Sequence, residues 1–280
     1  MTQHAGEPYV KQAGEAYPGG VGEAYPGDAG KPPSYADPIQ APGTDEAHWR
    51  AWDGWHKLPE LRLPTAGRVV VVAAHPDDEV LGAGGTMALL ADAGVSVTVV
   101  SITDGEASHA GSKIVTPDRL ADLRAGELRD ALAELGAGTA DIVRLKVPDT
   151  EAAGHEEEVA AALAPLLHGA QLCLAPWIGD VHGDHEAAGR AALAAARTAS
   201  VACLMYPVWM WHWARPDDPR VPWPSARRVR LPEPVLARKR AAVERFGSQI
   251  RPLGPAPEDA AILPPEEIAH HLRDVEVVFA

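Results

Sequence analysis

Cysteine is scarce in this chain: Cys173 and Cys203 are the only two among 280 residues. Two cysteines far apart in the sequence cannot build a disulfide framework or a zinc site made of cysteine ligands. Each lies in strand-like apolar sequence, so we expect both to be small core residues. Without a disulfide framework to indicate an oxidising compartment, the expected location is the cytoplasm.

Positive charge and long apolar runs are also lacking. Lysine and arginine number 25 against 39 aspartates and glutamates, which gives a formal net charge of −14. This charge disfavours binding to nucleic acid, whose phosphates need a cationic surface, and to an anionic membrane. No apolar run approaches the roughly 18 residues of a spanning helix, and residues 1–30 lack a signal-peptide core. We therefore expect no nucleic-acid partner and no membrane insertion.

The first 43 residues contain almost no aliphatic side chains. They carry glycine, proline and tyrosine in a repeat of eight residues, seen in GEPY at 6–9, GEAYPGG at 14–20 and GEAYPGD at 22–28. Such a segment buries too little apolar surface to offset the entropy lost on ordering. The sequence therefore predicts a disordered tail at 1–43 and a folded domain at 44–280.

Within that domain, strand-like and helix-like segments alternate. The run RVVVVAA at 68–74 is continuously apolar, as in a strand covered on both faces, and 117–135 is an amphipathic helix opened by proline. Further strands are predicted at 95–103, 140–147, 171–177 and 201–211. This alternation indicates an α/β fold, a single Rossmann-like domain with a mostly parallel sheet flanked by helices.

Charged side chains follow two of these strands directly. The first apolar strand ends in His-Pro-Asp-Asp-Glu at 75–79, and GDVHGDHEAAG at 179–189 follows the strand at 171–177. Ligands bind beyond the carboxyl ends of the strands in such sheets, so both clusters fall where a site is expected. Carboxylates near a core are costly unless a counter-ion meets them. Mixed imidazole and carboxylate ligands predict a divalent metal, for which zinc is suitable and iron or cobalt would also fit.

Each cluster alone has a simpler interpretation. His75 could cap a strand, and Asp77 or Asp78 could accept the first amide groups of a helix. His182 and His185 could be surface residues at a helix start. The occurrence of both clusters at strand ends favours the metal site.

These motifs resemble a known family. AHPDDEVLGAGG at 74–85 together with HGDH at 182–185 is similar to the LmbE/PIG-L family of zinc-dependent N-acetylglucosaminyl deacetylases. LRAGELRDALAELG at 123–136 and LARKRAAVERFGSQ at 236–249 extend the resemblance over roughly residues 68–250.

The resemblance implies a role for each matching position. The zinc ligands would be His75, Asp78 and His185, and Asp77 would be the general base. His182 would stabilise the oxyanion and protonate the leaving amine. The remaining implied roles are an orienting contact to His182 from Asp184, a supporting position for Glu79, and sugar contacts from Arg124 and Asp149.

The implied activity is hydrolysis by metal-activated water. The substrate would be a 2-amino-sugar of a small glycosylated metabolite or natural product, such as an antibiotic, that carries an N-acetyl or longer N-acyl group. Two alternatives stay open: an amidase that acts on another amide, such as a mycothiol-type conjugate, and a non-catalytic protein that holds a metal and recruits a partner.

Tryptophan and histidine residues elsewhere carry less information. Trp49, Trp52 and Trp55 are spaced three apart, and we expect them to cap the core. In the strand predicted to end at residue 211, alternation would place tryptophans 209, 211 and 213 on one face, as core, as a homo-oligomer contact or as a pocket wall. Four histidines without a partner pattern are expected at the surface: His109, His212, His270 and His271.

Overall fold

The computed structural model describes residues 38–280. The predicted tail at 1–43 therefore lies almost wholly outside the described residues, and its disorder stays a prediction. Where the described chain begins, the carbonyl of Ala41 accepts a hydrogen bond of 2.8 Å from Nε2 of His212.

Seven strands form one sheet in the order β3-β2-β1-β4-β5-β7-β6. The neighbours from β3 to β5 pair in parallel, and β7 runs antiparallel to both β5 and β6. This confirms the predicted mostly parallel α/β sheet. The strands are β1 (Arg68–Ala73), β2 (Ser96–Thr103), β3 (Asp141–Val147), β4 (Leu172–Pro176), β5 (Cys203–Tyr206), β6 (Ala226–Arg230) and β7 (Val275–Phe279).

Helices cover both faces of this sheet, and alternate side chains of β1 show why. Val69 and Val71 pack into one core cluster with helices α2, α3 and α7, whereas Val70 and Val72 pack into a second cluster with α4 and α5. The α-helices are α1 (Glu46–Arg50), α2 (Asp78–Asp92), α3 (Pro117–Glu134), α4 (Glu156–Leu167), α5 (Gly183–Ala199), α6 (Met210–Trp213), α7 (Glu233–Val243), α8 (Gly247–Ile250) and α9 (Pro265–His271). No helix of the described chain is both long and apolar enough to cross a bilayer.

The connection after β5 differs from the prediction. The strand ends at Tyr206 rather than at residue 211, and residues 210–213 are helical. Pro207 cannot donate to a strand ladder. In addition, the carboxylate of Asp180 accepts the N–H groups of residues 208, 209 and 210, which holds this backbone in a turn. The predicted alternation of tryptophans 209, 211 and 213 on one strand face is therefore wrong.

The tryptophans near residue 50 cap the core, as predicted: Trp49 and Trp52 are buried, and Trp55 is half-buried against the same cluster. Trp49 is fully buried, and its indole N–H donates to the carbonyl of Trp211 at 2.8 Å. Its ring meets that of Trp211 edge-on, with centroids 5.0 Å apart. The guanidinium of Arg273 lies 4.4 Å from the centroid of Trp211. This cluster joins the segment before β1 to the segment after β5.

The prediction of four surface histidines is wrong. His109, His212, His270 and His271 are all less than 9 % exposed. His212 pairs with Glu267, and His270 Nδ1 lies 2.9 Å from a carboxylate oxygen of Glu46. These acidic partners are distant in sequence, so no local pattern indicates them.

The two cysteines are free thiols on adjacent strands, where Cys173 pairs in register with Cys203. Cys173 is fully buried, and Cys203 is half-buried against the same core cluster. The predicted core role is confirmed for Cys173 and holds in part for Cys203.

Candidate metal centre

The two charged clusters meet because β1 and β4 are neighbours in the sheet. β1 ends at Ala73, and the chain passes through His75 before α2 begins at Asp78. β4 ends at Pro176, and His182 caps the start of α5. The order β2-β1-β4 makes this the point at which the sheet reverses its winding, which is where α/β sheets bind ligands.

The three predicted ligands converge at this edge. Ligand atoms of His75, Asp78 and His185 all lie within 4.8 Å of one another. Nδ1 of His75 is 3.3 Å from Oδ2 of Asp78, and Nε2 of His185 is 3.2 Å from Oδ1 of the same carboxylate. Asp78 thus lies between the two imidazoles, each of which turns one ring nitrogen towards it.

The other nitrogen of each ring also faces a carboxylate. Nε2 of His75 lies 3.2 Å from oxygens of both Asp149 and Asp184, and Nδ1 of His185 lies 2.7 Å from Oδ2 of Asp180. Histidines that ligate metals usually donate their second N–H in this way, which fixes the tautomer and ring orientation. Two imidazoles and one carboxylate, with the imidazoles held from behind, are a donor set that fits a divalent ion.

Sequence reasoning missed Asp180. It is fully buried and lies in the loop between β4 and α5. The available signal was its place in GDVHGDH, in the same strand-end cluster as the predicted histidine ligand. What the sequence could not show is which of its neighbours this carboxylate contacts.

The electrostatics of the site favour a cation between its carboxylates. Burial lowers the pKa of His185, but the negative charges of Asp78 and Asp180 outweigh it and raise that pKa to about 9. Burial likewise opposes the charge of His75, and hydrogen bonds to Asp149, Asp184 and Asp78 raise its pKa well above the usual range. The same carboxylates that hold protons here would hold a metal ion in their place.

Asp77 lies beside these groups in a strained backbone conformation. Its φ of 149° is a value that residues other than glycine rarely adopt, and such strain is concentrated at functional sites. Oδ2 of Asp77 accepts a hydrogen bond of 3.1 Å from the Arg124 guanidinium. Burial, reinforced by the charge of Asp78 and opposed by that of Arg124, raises the pKa of Asp77 to about 7.

His182 is half-buried at the same edge. Its ring centroid is 5.0 Å from that of His75 and 4.6 Å from that of His185. The backbone N–H of Asp184 donates to Nδ1 of His182 at 3.3 Å. Burial and the positive charges of His185 and His75 lower the pKa of His182 to about 3. The neutral imidazole therefore carries its proton on Nε2.

The carboxylate of Asp184 contacts a different histidine from the one predicted. It accepts the N–H groups of Thr150 and Ala152 at 2.9 and 3.1 Å and faces Nε2 of His75. The hydrogen bond between Asp184 and His182 comes from the backbone. Asp184 therefore joins the loop after β3 to the ring of His75.

The remaining predicted residues are also buried here. Arg124 is 3 % exposed and donates to the carbonyls of Pro76 and Gly105 as well as to Asp77. Asp149 accepts the N–H of Ala107 at 2.9 Å, and its contact with His75 contributes to holding its pKa at about 2 against the effect of burial. The predicted sugar contacts of Arg124 and Asp149 stay predictions.

Glu79 is fully buried behind Asp77. One of its oxygens accepts the Asp77 N–H at 3.3 Å, and the other has no hydrogen-bond partner among the described residues. Burial, followed by the charge of Asp77, raises the pKa of Glu79 to about 8. Glu79 thus supports the backbone of Asp77 and is not a member of the predicted ligand triad of His75, Asp78 and His185.

Comparisons with known proteins find a family match over the part of the chain that contains this site. Residues 70–196 match the sequence profile of a family described as PIG-L, GlcNAc-PI de-N-acetylase. A relative from Catenulispora acidiphila, named 1D-myo-inositol 2-acetamido-2-deoxy-alpha-D-glucopyranoside deacetylase 2, is 49 % identical over 76 residues, which are 24 % of each chain. A deacetylase with the same substrate name from Kineococcus radiotolerans is 42 % identical over 78 residues, 27 % of this chain and 22 % of its own. The matched regions span about a quarter of these relatives.

A solved structure shares the fold more widely. The zinc inhibited form of teicoplanin deacetylase Orf2 is 19 % identical to this chain, with a TM-score of 0.51. The match covers 65 % of this chain and 85 % of that one. At this identity the likeness concerns the fold alone.

Proposed function

We propose that the chain, whose residues 70–196 match the PIG-L family profile, is a metal-dependent hydrolase. It removes an N-acetyl or longer N-acyl group from a 2-amino-sugar in a small glycosylated molecule. The observation that carries the proposal is the convergence of His75, Asp78 and His185 with Asp77 alongside them. The reaction is assigned to the cytoplasm, in keeping with two free cysteines.

The resident ion is proposed to be zinc, held by His75, Asp78 and His185. Iron or cobalt would accept the same donors. When bound, the ion supplies a Lewis acid that polarises the amide carbonyl and makes water a stronger acid.

Asp77 acts as the general base. It is adjacent to a ligand in sequence but lies outside the ligand triad, so its carboxylate stays free to accept a proton. Burial raises the pKa of Asp77 to about 7. A general base with a pKa near the working pH is largely deprotonated and still binds a proton well, so this value suits catalysis at neutral pH. Arg124 holds this carboxylate in position by a single hydrogen bond to one of its oxygens.

His182 donates a hydrogen bond to the oxyanion from Nε2. Its Nδ1 accepts the Asp184 N–H, so a second proton on the ring would break that bond. This geometry supports the predicted oxyanion role more directly than the predicted protonation of the amine. We assign the latter step to Asp77. Asp77 takes a proton from water as the water oxygen adds to the carbonyl carbon. It then delivers this proton to the nitrogen as the C–N bond breaks, which releases a carboxylate and an amine.

The proposed substrate class is supported by the names of the relatives and by the charge of the site. The curated relatives are named for an acetamido sugar linked to inositol. The guanidinium beside the base is already engaged, since Arg124 pairs with Asp77. With a net charge of −14 on the chain, we propose an uncharged or cationic acceptor rather than a phosphorylated one.

The test is primary-amine release from a panel of N-acetylglucosaminides by the full-length chain loaded with zinc. The panel runs from the free sugar through inositol, inositol phosphate, aminocyclitol and peptide-linked acceptors, and it also includes a mycothiol-type amide. Asp77→Asn should retain zinc but lose about 10²–10⁴-fold in turnover, as expected for loss of a general base. Asp130→Asn, an exposed change on α3, is the matched control.

Each outcome of this panel decides something. Release from one neutral acceptor supports the deacetylase and its substrate class. Release from a mycothiol-type amide alone would replace the sugar substrate with another amide. No release from any compound, with zinc bound, would favour the non-catalytic metal-holding protein. Equal turnover by Asp77→Asn would overturn the assigned base.

A further inference from the structure

The carboxylate of Asp180 makes several contacts but has no role in the reaction proposed above. Its Oδ1 accepts the backbone N–H groups of Val208 and Met210 at 3.0 and 2.8 Å. Its Oδ2 accepts the Trp209 N–H at 2.9 Å and faces Nδ1 of His185 at 2.7 Å. A carboxylate has about four acceptor positions, and all four are used here.

These contacts determine which nitrogen of His185 carries a proton. Because Oδ2 is acceptor-only when ionised, Nδ1 of His185 must carry the proton in this hydrogen bond. In the neutral ring, Nε2 of His185 is then the nitrogen with a free lone pair, and it is the one that faces Asp78 at 3.2 Å. Asp180 thereby selects the tautomer that can ligate a metal through Nε2.

The same carboxylate joins two elements that are remote in sequence. His185 lies in the first turn of α5, whereas residues 208–210 lead from the end of β5 into the first residue of α6. β4 and β5 are neighbours, so both connections leave the same edge of the sheet. The ring of His185 is therefore oriented against backbone that α5 itself does not provide.

We infer that Asp180 is a positioning residue that sets the tautomer and ring orientation of the proposed ligand His185 and anchors that ring to the turn after β5. The inference rests on the proposed metal centre. It adds a residue that the family resemblance did not assign.

Asp180→Asn is the sharpest test. An amide at this position offers one oxygen and one NH₂ group in place of two acceptor oxygens. If the oxygen keeps the N–H groups of Val208 and Met210, the NH₂ faces Nδ1 of His185. The ring must then accept there and move its proton to Nε2, where it competes with the metal.

Binding of Zn²⁺ and Co²⁺ to the chelator-treated full-length chain gives the measurement, with a chromophoric chelator as competitor. We expect Asp180→Asn to weaken metal binding by about 10–100-fold, the usual effect of losing an outer carboxylate. The visible absorption of bound Co²⁺ should also change, because the ring of His185 is reoriented. Asp259→Asn is the matched control: it removes another buried carboxylate, one that accepts the Ser112 hydroxyl at 2.6 Å.

A double-mutant cycle separates positioning from a purely structural role. Asp180→Asn should weaken metal binding far less in a His185→Gln background than in the parent, because its effect acts through His185. Equal weakening in both backgrounds would overturn the inference. If Asp180→Asn does not fold, Asp180→Glu carries the same cycle, since its longer side chain cannot keep all four contacts.

Metal binding by the parent protein distinguishes failure of the proposed metal centre from failure of the proposed role of Asp180. If the parent binds neither ion, the proposed metal centre fails, and this inference fails with it. If the parent binds both ions and Asp180→Asn binds them equally well with the same Co²⁺ spectrum, only the role of Asp180 is overturned.

Discussion

The guanidinium of Arg124 lies 3.1 Å from the carboxylate of Asp77, and both side chains are buried. The same guanidinium donates to the carbonyls of Pro76 and Gly105. It thus fixes the proposed base, the residue before it and the loop after β2. Its positive charge also lowers the pKa of Asp77, against burial, which raises it.

Arg124→Met should move the acid limb of the pH profile of kcat/KM to higher pH. Without the guanidinium, the neutral form of Asp77 persists to higher pH, and a general base is active only when deprotonated. An opposite charge at this distance is worth roughly 1–3 pKa units. Amine release measured between pH 5 and 9 checks the shift, with exposed Arg129→Met on the same helix as control. An unshifted acid limb would show that Arg124 does not tune this carboxylate.

Gly105→Ala should impair activity through Arg124. Gly105 has a φ of +65°, and a Cβ atom there would lie 1.9 Å from Nη1 of Arg124. Gly94 is a matched control, because it has a φ of +75° and a Cβ atom there would meet no atom within 4 Å among the described residues. Both alanines carry the backbone cost of about 1–2 kcal/mol, but only Gly105→Ala displaces the guanidinium. Thermal unfolding and kcat/KM of the two variants check this, and equal losses of activity would contradict it.

The sequence predicted the fold because its signal is local. The valines of β1 face a core on both sides of the sheet. A buried parallel strand therefore appears in the sequence as a short continuous apolar run, which can be recognised without knowing the rest of the chain. The two charged clusters at strand ends predicted a metal site at this edge, and the family resemblance then implied His75, Asp78 and His185 as its ligands, whose ligand atoms lie within 4.8 Å of one another.

What the sequence did not predict depends on partners far along the chain. The turn at 208–210 is held by Asp180, which overrides the strand-like pattern of 201–211. Two of the histidines expected at the surface, His270 and His212, are buried against Glu46 and Glu267. Such pairings bring together residues 28 to 224 positions apart, and a single sequence carries no local pattern for them.

The free energy of unfolding should fall as the pH drops below about 6.5, in part through His271. This ring is 6 % exposed, and burial together with the charge of Lys239 holds its pKa well below the usual range. At pH values below the pKa of a histidine in the unfolded chain, the unfolded chain therefore binds a proton at His271 that the folded chain does not bind. The stability contributed at neutral pH is lost as the pH falls.

His271→Leu removes this titrating group, so the free energy of unfolding should depend less steeply on pH. The slope of the unfolding free energy against pH should decrease by up to about 1.4 kcal/mol per pH unit in the acid range, the value for one proton. Denaturant unfolding at pH 5, 6 and 7 gives the slopes. His168→Leu replaces an exposed histidine after α4 and should leave the slope unchanged. The same slope in His271→Leu and the parent would rule out this source of acid sensitivity.

Removal of the metal should destabilise the fold, and the size of the effect should depend on pH. A ligand that binds only the folded chain stabilises it by about 4 kcal/mol at 1,000 times its dissociation constant. Because the carboxylates raise the pKa of His185 to about 9, protons compete with the metal for this ring, and the stabilisation should shrink as the pH falls. Thermal unfolding with Zn²⁺ and with excess chelator, at pH 6 and 8, checks both effects. In His185→Ala the difference between the two conditions should nearly vanish, since one of three ligands is gone. A chelator-independent midpoint in the parent protein would contradict metal binding at this site.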